Sequence, residues 1–408
     1  MTLNEEKKLE AVDFVLSETN NIINTCESRI PGSSGENQAL DHIMEELTPL
    51  CGQENVVKQR FKVAPRAFFG WTYFTIIFLI LGIGLYYMTP VFSILCYVIA
   101  FIPFLLESLL HIPFLDSLFE YGTSANVIGM VKPNSDIKRR IVFSSNIDSS
   151  YEWHLNKIGG YKLILAFSII SIIGLIYSLA IAIVTCIVNG PVGTPKGGIF
   201  YASFATIIFV PFYLSFFKFC NYKKVSGGAS VNLAACELNV AILKTLKENN
   251  VSLENTEVDV LILGSKNAGI RGSKAFTRMN QGFGKEENIE TIFINYDSLC
   301  NADKLSICKK DLNGLVKNNI DVCNFVQSTA KDMNLNLSYT TKIGASDSAA
   351  FSKAGLKSIS INGINLSIPR YYNTTTDTID TVSKDCLSKM LDLSLNLIEN
   401  FDKNGILK

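Results

Sequence analysis

The chain has 408 residues, with 37 basic and 37 acidic side chains, so its formal net charge is zero. This balance gives no reason to expect nucleic acid as a partner, because nucleic-acid-binding surfaces are strongly basic. Hydrophobic residues make up 48% of the chain, but they are concentrated in blocks, and residues 67–106, 163–195 and 197–217 contain no Asp, Glu, Lys or Arg. The chain is therefore divided into apolar blocks and ordinary soluble sequence.

The N-terminal segment, residues 1–66, is polar and charged. Its hydrophobic spacing predicts two helices and one strand, namely helices from Glu5 to Cys26 and from Glu36 to Leu47, and a strand from Val56 to Val63. We expect Ser34 to cap the second helix, with Asn37 three residues later. No basic stretch leads into an apolar run and a small-residue cleavage site, so no removable signal peptide is predicted.

The apolar blocks have the length of membrane-spanning helices, since each span needs roughly 20 apolar residues. Soluble helices carry a polar stripe at 3.6-residue spacing, and these blocks carry none. We therefore predict two transmembrane hairpins, residues 67–110 and 163–217, with the four spans Ala67–Met88, Val91–Leu110, Leu163–Val188 and Gly198–Phe217. Buried core helices are the alternative interpretation. We expect Glu107, in the last turn of the second span, to reach the membrane interface.

Basic residues flank the outer ends of both hairpins, whereas the hairpin tips contain only Lys196. The flanking residues are Lys58, Arg60, Lys62, Arg66, Lys157, Lys162, Lys218, Lys223 and Lys224. The positive-inside rule then places both termini and the soluble domain in the cytoplasm. Ten cysteines without a CxxC pair suit a reducing compartment and argue against a disulfide framework. We therefore predict a multi-pass integral membrane protein whose first partner is the lipid bilayer.

The remaining sequence alternates between strand and helix patterns. After the first hairpin these are strands Ala125–Lys132 and Arg140–Ser145, and after the second hairpin helix Asn232–Asn249, strand Val258–Leu263, a helix starting near Ser273, strand Thr291–Asn295, helix Leu315–Asp332, strand Ser358–Ile361 and helix Ser383–Phe401. This alternation predicts an α/β domain in which helices cover both faces of a mixed central sheet. The domain is discontinuous and consists of residues 1–66, 111–160 and 220–408.

Six polar motifs occur in order along these soluble pieces. They are Arg29-Ile-Pro-Gly-Ser33 with Gly35-Glu36, Asn126-Val-Ile-Gly129 with Ser145-Asn146-Ile-Asp148-Ser149, Gly228-Ala-Ser-Val231-Asn232, Gly264-Ser-Lys266-Asn267-Ala-Gly269-Ile-Arg-Gly272-Ser273, Ile294-Asn-Tyr-Asp297 and Ser346-Asp347-Ser348 with Tyr372-Asn373-Thr374 and Asp377-Thr378. Together they resemble the di-zinc exopeptidases, the family of aminopeptidase Y, glutamate carboxypeptidase, glutaminyl cyclase and the non-catalytic transferrin receptor. The resemblance implies a three-layer αβα fold with two zinc ions in active members.

The resemblance also implies which positions would bind zinc, and most of them are changed in this chain. Asparagine replaces ligands at Asn146, Asn267 and Asn373, valine replaces the bridging aspartate at Val231, lysine replaces the catalytic glutamate at Lys266, and only Asp297 keeps a ligand. Neutral amides are poor zinc ligands and one carboxylate cannot hold two dications. We therefore predict no metal or other cofactor, although zinc would be expected for the family.

These substitutions predict a vestigial pocket formed by Asn146, Asp148, Val231, Lys266, Asn267, Asp297 and Asn373. In this hypothesis Lys266 neutralises Asp297, Asp148 is a second candidate partner, and the amides hydrogen-bond around them. The alternative is that Lys266 is a surface lysine and that the asparagines form turns. None of the three histidines, His42, His111 and His154, falls on a ligand position, and we expect packing or interfacial roles for them.

We predict a membrane-anchored, catalytically inactive metallopeptidase-like protein that binds a protein, a peptide or a membrane-proximal ligand. The alternative is a membrane-bound aminopeptidase or amidohydrolase-type hydrolase that uses other residues or a partner chain, for example Lys266 as a base for Ser145 or Ser230. If the first three strands form an antiparallel meander, both hairpins leave from the sheet edge that carries the pocket. The pocket should then open toward the bilayer.

Overall fold

The computed structural model describes residues 3–364 and 367–406. Its helices are α1 (Glu5–Thr25), α2 (Ser34–Cys51), α3 (Ala67–Tyr86), α4 (Pro90–Pro103), α5 (His154–Asn189), α6 (Gly197–Ser203), α7 (Ala205–Ile208), α8 (Val210–Ser215), α9 (Ala234–Glu248), α10 (Arg271–Met279), α11 (Ile320–Asp332), α12 (Ser348–Lys353) and α13 (Lys384–Asn404). Its strands are β1 (Val56–Val63), β2 (Gly122–Val131), β3 (Arg139–Asn146), β4 (Tyr151–Trp153), β5 (Cys220–Val225), β6 (Thr256–Leu263), β7 (Glu290–Asp297), β8 (Ser306–Asp311), β9 (Val316–Lys317), β10 (Ser338–Thr341) and β11 (Ser358–Asn362).

A mixed sheet forms the centre of the fold, with the strand order β1-β2-β6-β3-β7-β11-β8-β10 and with β9 paired to β8. Strands β6, β3, β7 and β11 run parallel to one another, whereas β2 is antiparallel to both of its neighbours. The predicted α/β fold with a mixed central sheet is therefore confirmed. Strand β8 and the edge strand β10 were not predicted, because their polar residues do not alternate regularly with apolar ones.

Helices cover both faces of this sheet because neighbouring strand residues point to opposite sides. On β3, Phe143 joins the core beneath α1, α2, α9, α11 and α13, whereas Val142 joins a smaller core beneath α10 and α12. Both side chains are fully buried. The part of the chain around the central sheet is therefore a three-layer αβα arrangement.

The predicted meander of the first three soluble strands is wrong in one respect. Strand β2 pairs with β6 and not with β3, so β6 lies between two strands that are consecutive in the chain. The strand directions nevertheless agree with the prediction, since β3 runs parallel to β6 and β6 runs antiparallel to β2. The end of β1, the start of β2 and the end of β3 therefore lie at the same end of the sheet.

The cap of α2 lies one residue earlier than predicted. Ser33, not Ser34, is the cap residue, and its side chain accepts a hydrogen bond from the backbone N–H of Glu36 at 3.2 Å. Ser34 instead donates to Glu27 Oε2 at 2.6 Å. With the cap at Ser33, Glu36 occupies the third helical position, and its carboxylate accepts from the backbone N–H of Gly32 at 2.7 Å.

Each helical hairpin is closed at its base by an antiparallel strand pair. Val63 at the end of β1 pairs with Gly122 at the start of β2, so the first hairpin leaves and re-enters the domain at one point. The second hairpin is inserted in the same way between β4 and β5, where Trp153 pairs with Cys220. The hairpins pack against each other, for example where Tyr86 Oη lies 2.7 Å from Thr185 Oγ1.

The fourth predicted span is not one continuous helix. It consists of α6, α7 and α8, followed by a 3-10 turn at Phe216–Lys218. Pro211 lies in the first turn of α8 and cannot donate a backbone hydrogen bond, and Phe209 bonds to Thr206 three residues back. Helix α5 also contains a break, at Gly160, where φ is 68°. The first segment is α3, the second is α4 with the turn Phe104–Leu109, and the fourth runs from α6 to the turn after α8. These three segments keep close to the predicted bounds of the first, second and fourth spans.

Glu107 does not reach a surface, contrary to expectation. It lies in a π-helical turn after α4, and its side chain is fully buried. Its carboxylate accepts hydrogen bonds from the backbone N–H groups of Phe114 and Leu115 at 2.7 and 2.8 Å, and it pairs with Arg271 at the start of α10 at 3.3 Å. Glu107 therefore joins the first hairpin to the α/β domain.

Candidate functional site

A cavity of about 430 Å³ lies where the central strands end beside the two hairpins. Polar residues form one part of its wall, because Asn146 ends β3 and both Lys266 and Asn267 follow β6. Apolar side chains of the hairpins form much of the rest, including Phe69, Trp71, Leu79, Ile164, Leu175 and Tyr213. The cavity therefore has a polar region on the domain and an apolar region on the hairpins.

The structure brings the seven predicted site residues together at this cavity. Five of them form part of its wall, namely Asn146, Val231, Lys266, Asn267 and Asn373. The other two, Asp148 and Asp297, are fully buried and contact the residues of the wall directly. These residues come from five separate segments, and three of these segments lie where the parallel strands β3, β6 and β7 end.

Asp297, at the end of β7, pairs with two lysines. Its Oδ1 lies 2.7 Å from Lys266 Nζ and its Oδ2 lies 3.0 Å from Lys342 Nζ. Burial alone would raise the pKa of Asp297, but the two ammonium groups hold that pKa well below its usual range. Burial lowers the pKa of each lysine, and the attraction of Asp297 more than offsets this, so both pKa values are raised. The site therefore contains a triad in which two partly buried lysines flank one fully buried carboxylate.

Asp148 is held by N–H donors rather than by an ammonium group. The backbone N–H groups of Lys266 and Asn267 donate to its carboxylate at 3.0 and 2.8 Å, and the side-chain amides of Asn146 and Asn267 donate at 3.1 and 2.9 Å. Burial raises the pKa of Asp148, and these donors oppose the shift. Lys266 thus contacts Asp148 through its backbone, and its side chain pairs with Asp297 instead.

The amide side chains extend this network across the site. Asn232 donates to Asn146 Oδ1 at 3.2 Å and to the carbonyl of Tyr296 at 2.8 Å. Its own Oδ1 accepts from the backbone N–H of Ser298 at 2.9 Å. Asn373 differs, because its buried Oδ1 accepts no hydrogen bond within the part of the chain that the structure describes. A ligand with a donor group would find an available acceptor at this position.

Residues outside the seven predicted site positions also hold the loops of the site in shape. A Cβ added at Gly272 would lie only 2.0 Å from the carbonyl oxygen of Gly264. Asn126 bridges the same two glycines, since it accepts from the backbone N–H of Gly264 at 3.2 Å and donates to the carbonyl of Gly272 at 2.9 Å. Asp377 holds the Val231 loop by accepting from the backbone N–H groups of Ser230 and Val231. Asn126, Asp377 and the two glycines therefore support the loops in addition to the hydrogen bonds of Asn146 and Asn267.

Neither candidate nucleophile, Ser145 or Ser230, is hydrogen-bonded to Lys266 in the part of the chain that the structure describes. Ser145 Oγ bonds to Cys236 Sγ at 3.2 Å and to Asn239 Nδ2 at 2.9 Å, and Ser230 Oγ bonds to Thr381 Oγ1 at 2.9 Å. The raised pKa of Lys266 keeps its side chain protonated, which is the wrong state for a general base. The two serines and Lys266 therefore do not form a base and nucleophile pair.

Comparison with known proteins assigns the C-terminal half of the domain. Residues 221–398 match the sequence model of peptidase family M28. This range is 178 of the 408 residues, so the similarity to peptidase family M28 covers less than half of the chain. The matched range includes Val231, Lys266, Asn267, Asp297 and Asn373. A search of curated proteins found no match.

Solved structures with the same fold extend the comparison to the whole chain. Glutaminyl cyclase from Fimbriiglobus ruber is 13% identical, with a TM-score of 0.57, and the match covers 100% of this chain and 98% of that one. The zinc aminopeptidase BSAP from Bacillus subtilis is 15% identical, with a TM-score of 0.54 and coverages of 95% and 94%. A Zn-dependent exopeptidase from Parabacteroides distasonis is 11% identical, with a TM-score of 0.55 and coverages of 95% and 98%. The zinc-exopeptidase-like fold is thus confirmed.

The donor set of this site does not fit a pair of zinc ions. A catalytic zinc is bound by about three imidazole or carboxylate ligands. Here both oxygens of Asp297 already face ammonium groups, and Val231 offers only an aliphatic side chain. A dication at Asp297 would also lie within a few Å of Lys266 and Lys342, and this repulsion opposes its binding.

Two residues of the site were missed by the sequence analysis. Lys342 follows β10 and pairs with Asp297, but nothing in its local sequence distinguishes it from other lysines of the chain. Asp347 lies inside a quoted motif, yet no role was assigned to it. It is fully buried, and neither of its carboxylate oxygens has a hydrogen-bond partner in residues 3–364 and 367–406. Burial raises the pKa of Asp347 to about 7, and the attraction of Lys266 opposes this shift.

Proposed function

We propose that this chain is a membrane-anchored pseudopeptidase, whose M28 domain binds a membrane-proximal ligand and does not hydrolyse peptides. The observation that carries this proposal is the pairing of Asp297 with both Lys266 and Lys342. The resemblance puts an aspartate ligand of zinc at this position, and two ammonium groups now occupy the surroundings of its carboxylate. A protein with this charge arrangement can hold an anionic group but lacks a means to activate water.

The surface of the hairpins supports membrane anchoring. Five helical segments of the described chain are long and apolar enough to cross a membrane, and one of them, Ala229–Glu248, is buried in the core of the domain. The other four expose large apolar side chains to their surroundings, such as Phe92, Ile176 and Ile208, which are 53%, 62% and 65% exposed. Apolar surface of this extent would be costly in water and suits contact with lipid.

Charge asymmetry supports an orientation for these spans. Basic residues lie beside the domain ends of the hairpins, for example Arg66, Lys157 and Lys218, whereas Lys196 is the one basic residue at the tips. The positive-inside rule favours the side with more basic residues as the cytoplasmic side. We infer that the M28 domain and both termini are cytoplasmic, and that the cavity lies next to the inner surface of the bilayer.

The chemistry of the cavity indicates the kind of ligand. Lys266 and Lys342 both line the cavity, and their ammonium groups can donate hydrogen bonds to an anionic group. The opposite wall consists of aromatic and aliphatic side chains from α3, α5 and α8. An amphiphile with an anionic head and an apolar tail fits both regions. The hairpins would supply the tail-binding surface and a route from the membrane.

We expect a brominated fatty acid to quench the tryptophan fluorescence of the purified protein in detergent. The chain has two tryptophans, Trp71 and Trp153, and both line the cavity. Replacing Lys342 with methionine leaves the pair between Lys266 and Asp297 intact but removes one ammonium group from the wall. We expect this variant to bind the fatty acid about tenfold more weakly, which is a loss of roughly 1.4 kcal/mol.

The control variant is Lys310→Met, which removes an exposed lysine and should leave quenching unchanged. The brominated fatty alcohol of the same length tests the head group, and we expect it to bind more weakly than the acid. Equal quenching by acid and alcohol in the native protein and in Lys342→Met would contradict an anionic ligand. A peptide or protein that blocks quenching and binds without the amphiphile would point to a different occupant.

Hydrolysis is the second test of the proposed function. We expect the protein to release no product above the buffer rate from a panel of amino-acid esters, amides and peptides, with Zn²⁺, Co²⁺ or Mn²⁺ added. The reason is that the site lacks the carboxylate and imidazole donors that would bind these ions. Lys266→Glu restores a carboxylate at the position of the catalytic glutamate and should remain inactive while the other ligands are missing. Metal-dependent hydrolysis that disappears in Asp297→Ala would refute the pseudopeptidase assignment.

A further inference from the structure

A second cluster of ionisable residues lies in the helical layer, among α1, α2 and α9. His42 on α2 lies 3.2 Å from Glu18 on α1, measured from Nε2 to Oε2, and 3.5 Å from Glu46 Oε1. One ligand atom from each of these three residues lies within 4.8 Å of the others. None of the three belongs to the wall of the M28 cavity. The cluster is therefore a separate feature of the fold.

The spacing of these side chains suits a metal ion. His42 and Glu46 are four residues apart on α2, which places them on one face of the helix. Zinc binds imidazole nitrogen and carboxylate oxygen at about 2.0–2.2 Å, so two ligands in a tetrahedral site are roughly 3.4 Å apart. The distances of 3.2 and 3.5 Å from His42 Nε2 to the two carboxylates are close to this value.

A buried glutamate gives independent evidence that a positive charge belongs here. Glu237 on α9 is fully buried, and neither of its oxygens accepts a hydrogen bond within the described residues. Its carboxyl group faces that of Glu46, whose Oε2 also has no donor in the same ranges. Two carboxyl groups that meet without a donor need a shared proton or a nearby cation.

We propose that Glu18, His42 and Glu46 bind one transition-metal dication of the Zn²⁺ type, with Glu237 as an additional carboxylate beside Glu46. The mixed imidazole and carboxylate set selects such ions over Ca²⁺ and Mg²⁺, which prefer oxygen ligands alone. The ion links α1, α2 and α9, so its role is structural and does not depend on the M28 cavity. This interpretation differs from the packing role that the sequence predicts for His42.

The test uses the full-length protein in detergent, stripped of metal with a chelator and then titrated with Zn²⁺ or Co²⁺. We expect one equivalent to bind per chain, Co²⁺ to gain a visible absorption band, and the thermal midpoint to rise in a way that the chelator reverses. The chain has three histidines, so each is replaced by glutamine in turn. His42→Gln should weaken binding by at least about tenfold, whereas His111→Gln, at the cavity, and His154→Gln should bind normally.

Absence of a stoichiometric ion in the native protein would overturn the proposal, and so would equal binding by native protein and His42→Gln. Loss of binding in His111→Gln would move the site to the cavity and would also overturn it. If His42→Gln does not fold, Glu18→Gln replaces it, because Glu18 is partly exposed and its loss removes one ligand without leaving a buried charge. Its metal-free thermal midpoint should equal that of the native protein, and only the metal-induced rise should shrink.

Discussion

Replacing Asp297 with asparagine is expected to lower the free energy of unfolding by about 3–5 kcal/mol, the usual cost of leaving buried charges without their partner. The carboxylate is fully buried and balances two ammonium groups, at 2.7 and 3.0 Å. Asparagine has nearly the same shape but cannot neutralise either lysine. The measurement is the midpoint of urea unfolding of the purified protein in detergent, followed by tryptophan fluorescence.

The matched control is Asp332→Asn, at the exposed end of α11, which should change the free energy of unfolding by less than about 0.5 kcal/mol. A third variant removes all three charges, through Asp297→Asn with Lys266→Met and Lys342→Met. Because replacing a whole buried ionic group by apolar residues is often neutral, this variant should recover most of the loss. Asp297→Asn as stable as the control would mean that the triad is not formed, and the pseudopeptidase proposal would lose its main support.

The sequence predicts the layers of the fold well because burial imposes a regular spacing. The strand Val56–Val63 was placed at its observed bounds, and the buried strands β6, β7 and β11 were found within a few residues. The order of strands could not be obtained in the same way. Strand pairing depends on which faces meet after the chain has folded, and β6 enters between β2 and β3 from far along the sequence.

In the candidate site, too, the residues that lie in local motifs could be predicted, whereas a residue brought in by the tertiary structure could not. The motifs around Asn146, Lys266 and Asp297 were recognisable because turns and glycines at fixed spacing leave a signature in the sequence. Lys342 left no such signature. It reaches Asp297 only because β10 runs parallel to β8, which brings a loop of ordinary composition to the cavity. The ion pair between Lys342 and Asp297 depends on the reach of a long side chain, so the spacing of residues in the sequence does not predict it.

Glu107 illustrates how the same limit affects the hairpins. From the sequence, a lone carboxylate at the end of a span is expected to turn toward water. In the structure it is buried, because Arg271, more than 160 residues later in the chain, provides its counter-charge. The same guanidinium group also lies 2.7 Å from Asp116 Oδ1 in the segment that follows the hairpin. Arg271 thus connects the loop at residues 264–272, which contains three glycines and forms part of the site, with the end of the first hairpin.

Replacing Arg271 with methionine is therefore expected to lower the free energy of unfolding by about 3 kcal/mol, since Glu107 would remain buried without a partner. The exposed residue Arg278, on the same helix, gives the control Arg278→Met, which should have little effect. Adding Glu107→Gln to Arg271→Met should recover part of the loss, because a neutral amide oxygen can still accept from the backbone N–H groups of Phe114 and Leu115. Thermal unfolding in detergent measures all three variants, and chymotrypsin cleavage between the hairpin and β2, where Phe114, Phe119 and Tyr121 offer sites, reports whether the junction has opened. Equal stability of Arg271→Met and Arg278→Met would show that the hairpin is held by apolar packing alone.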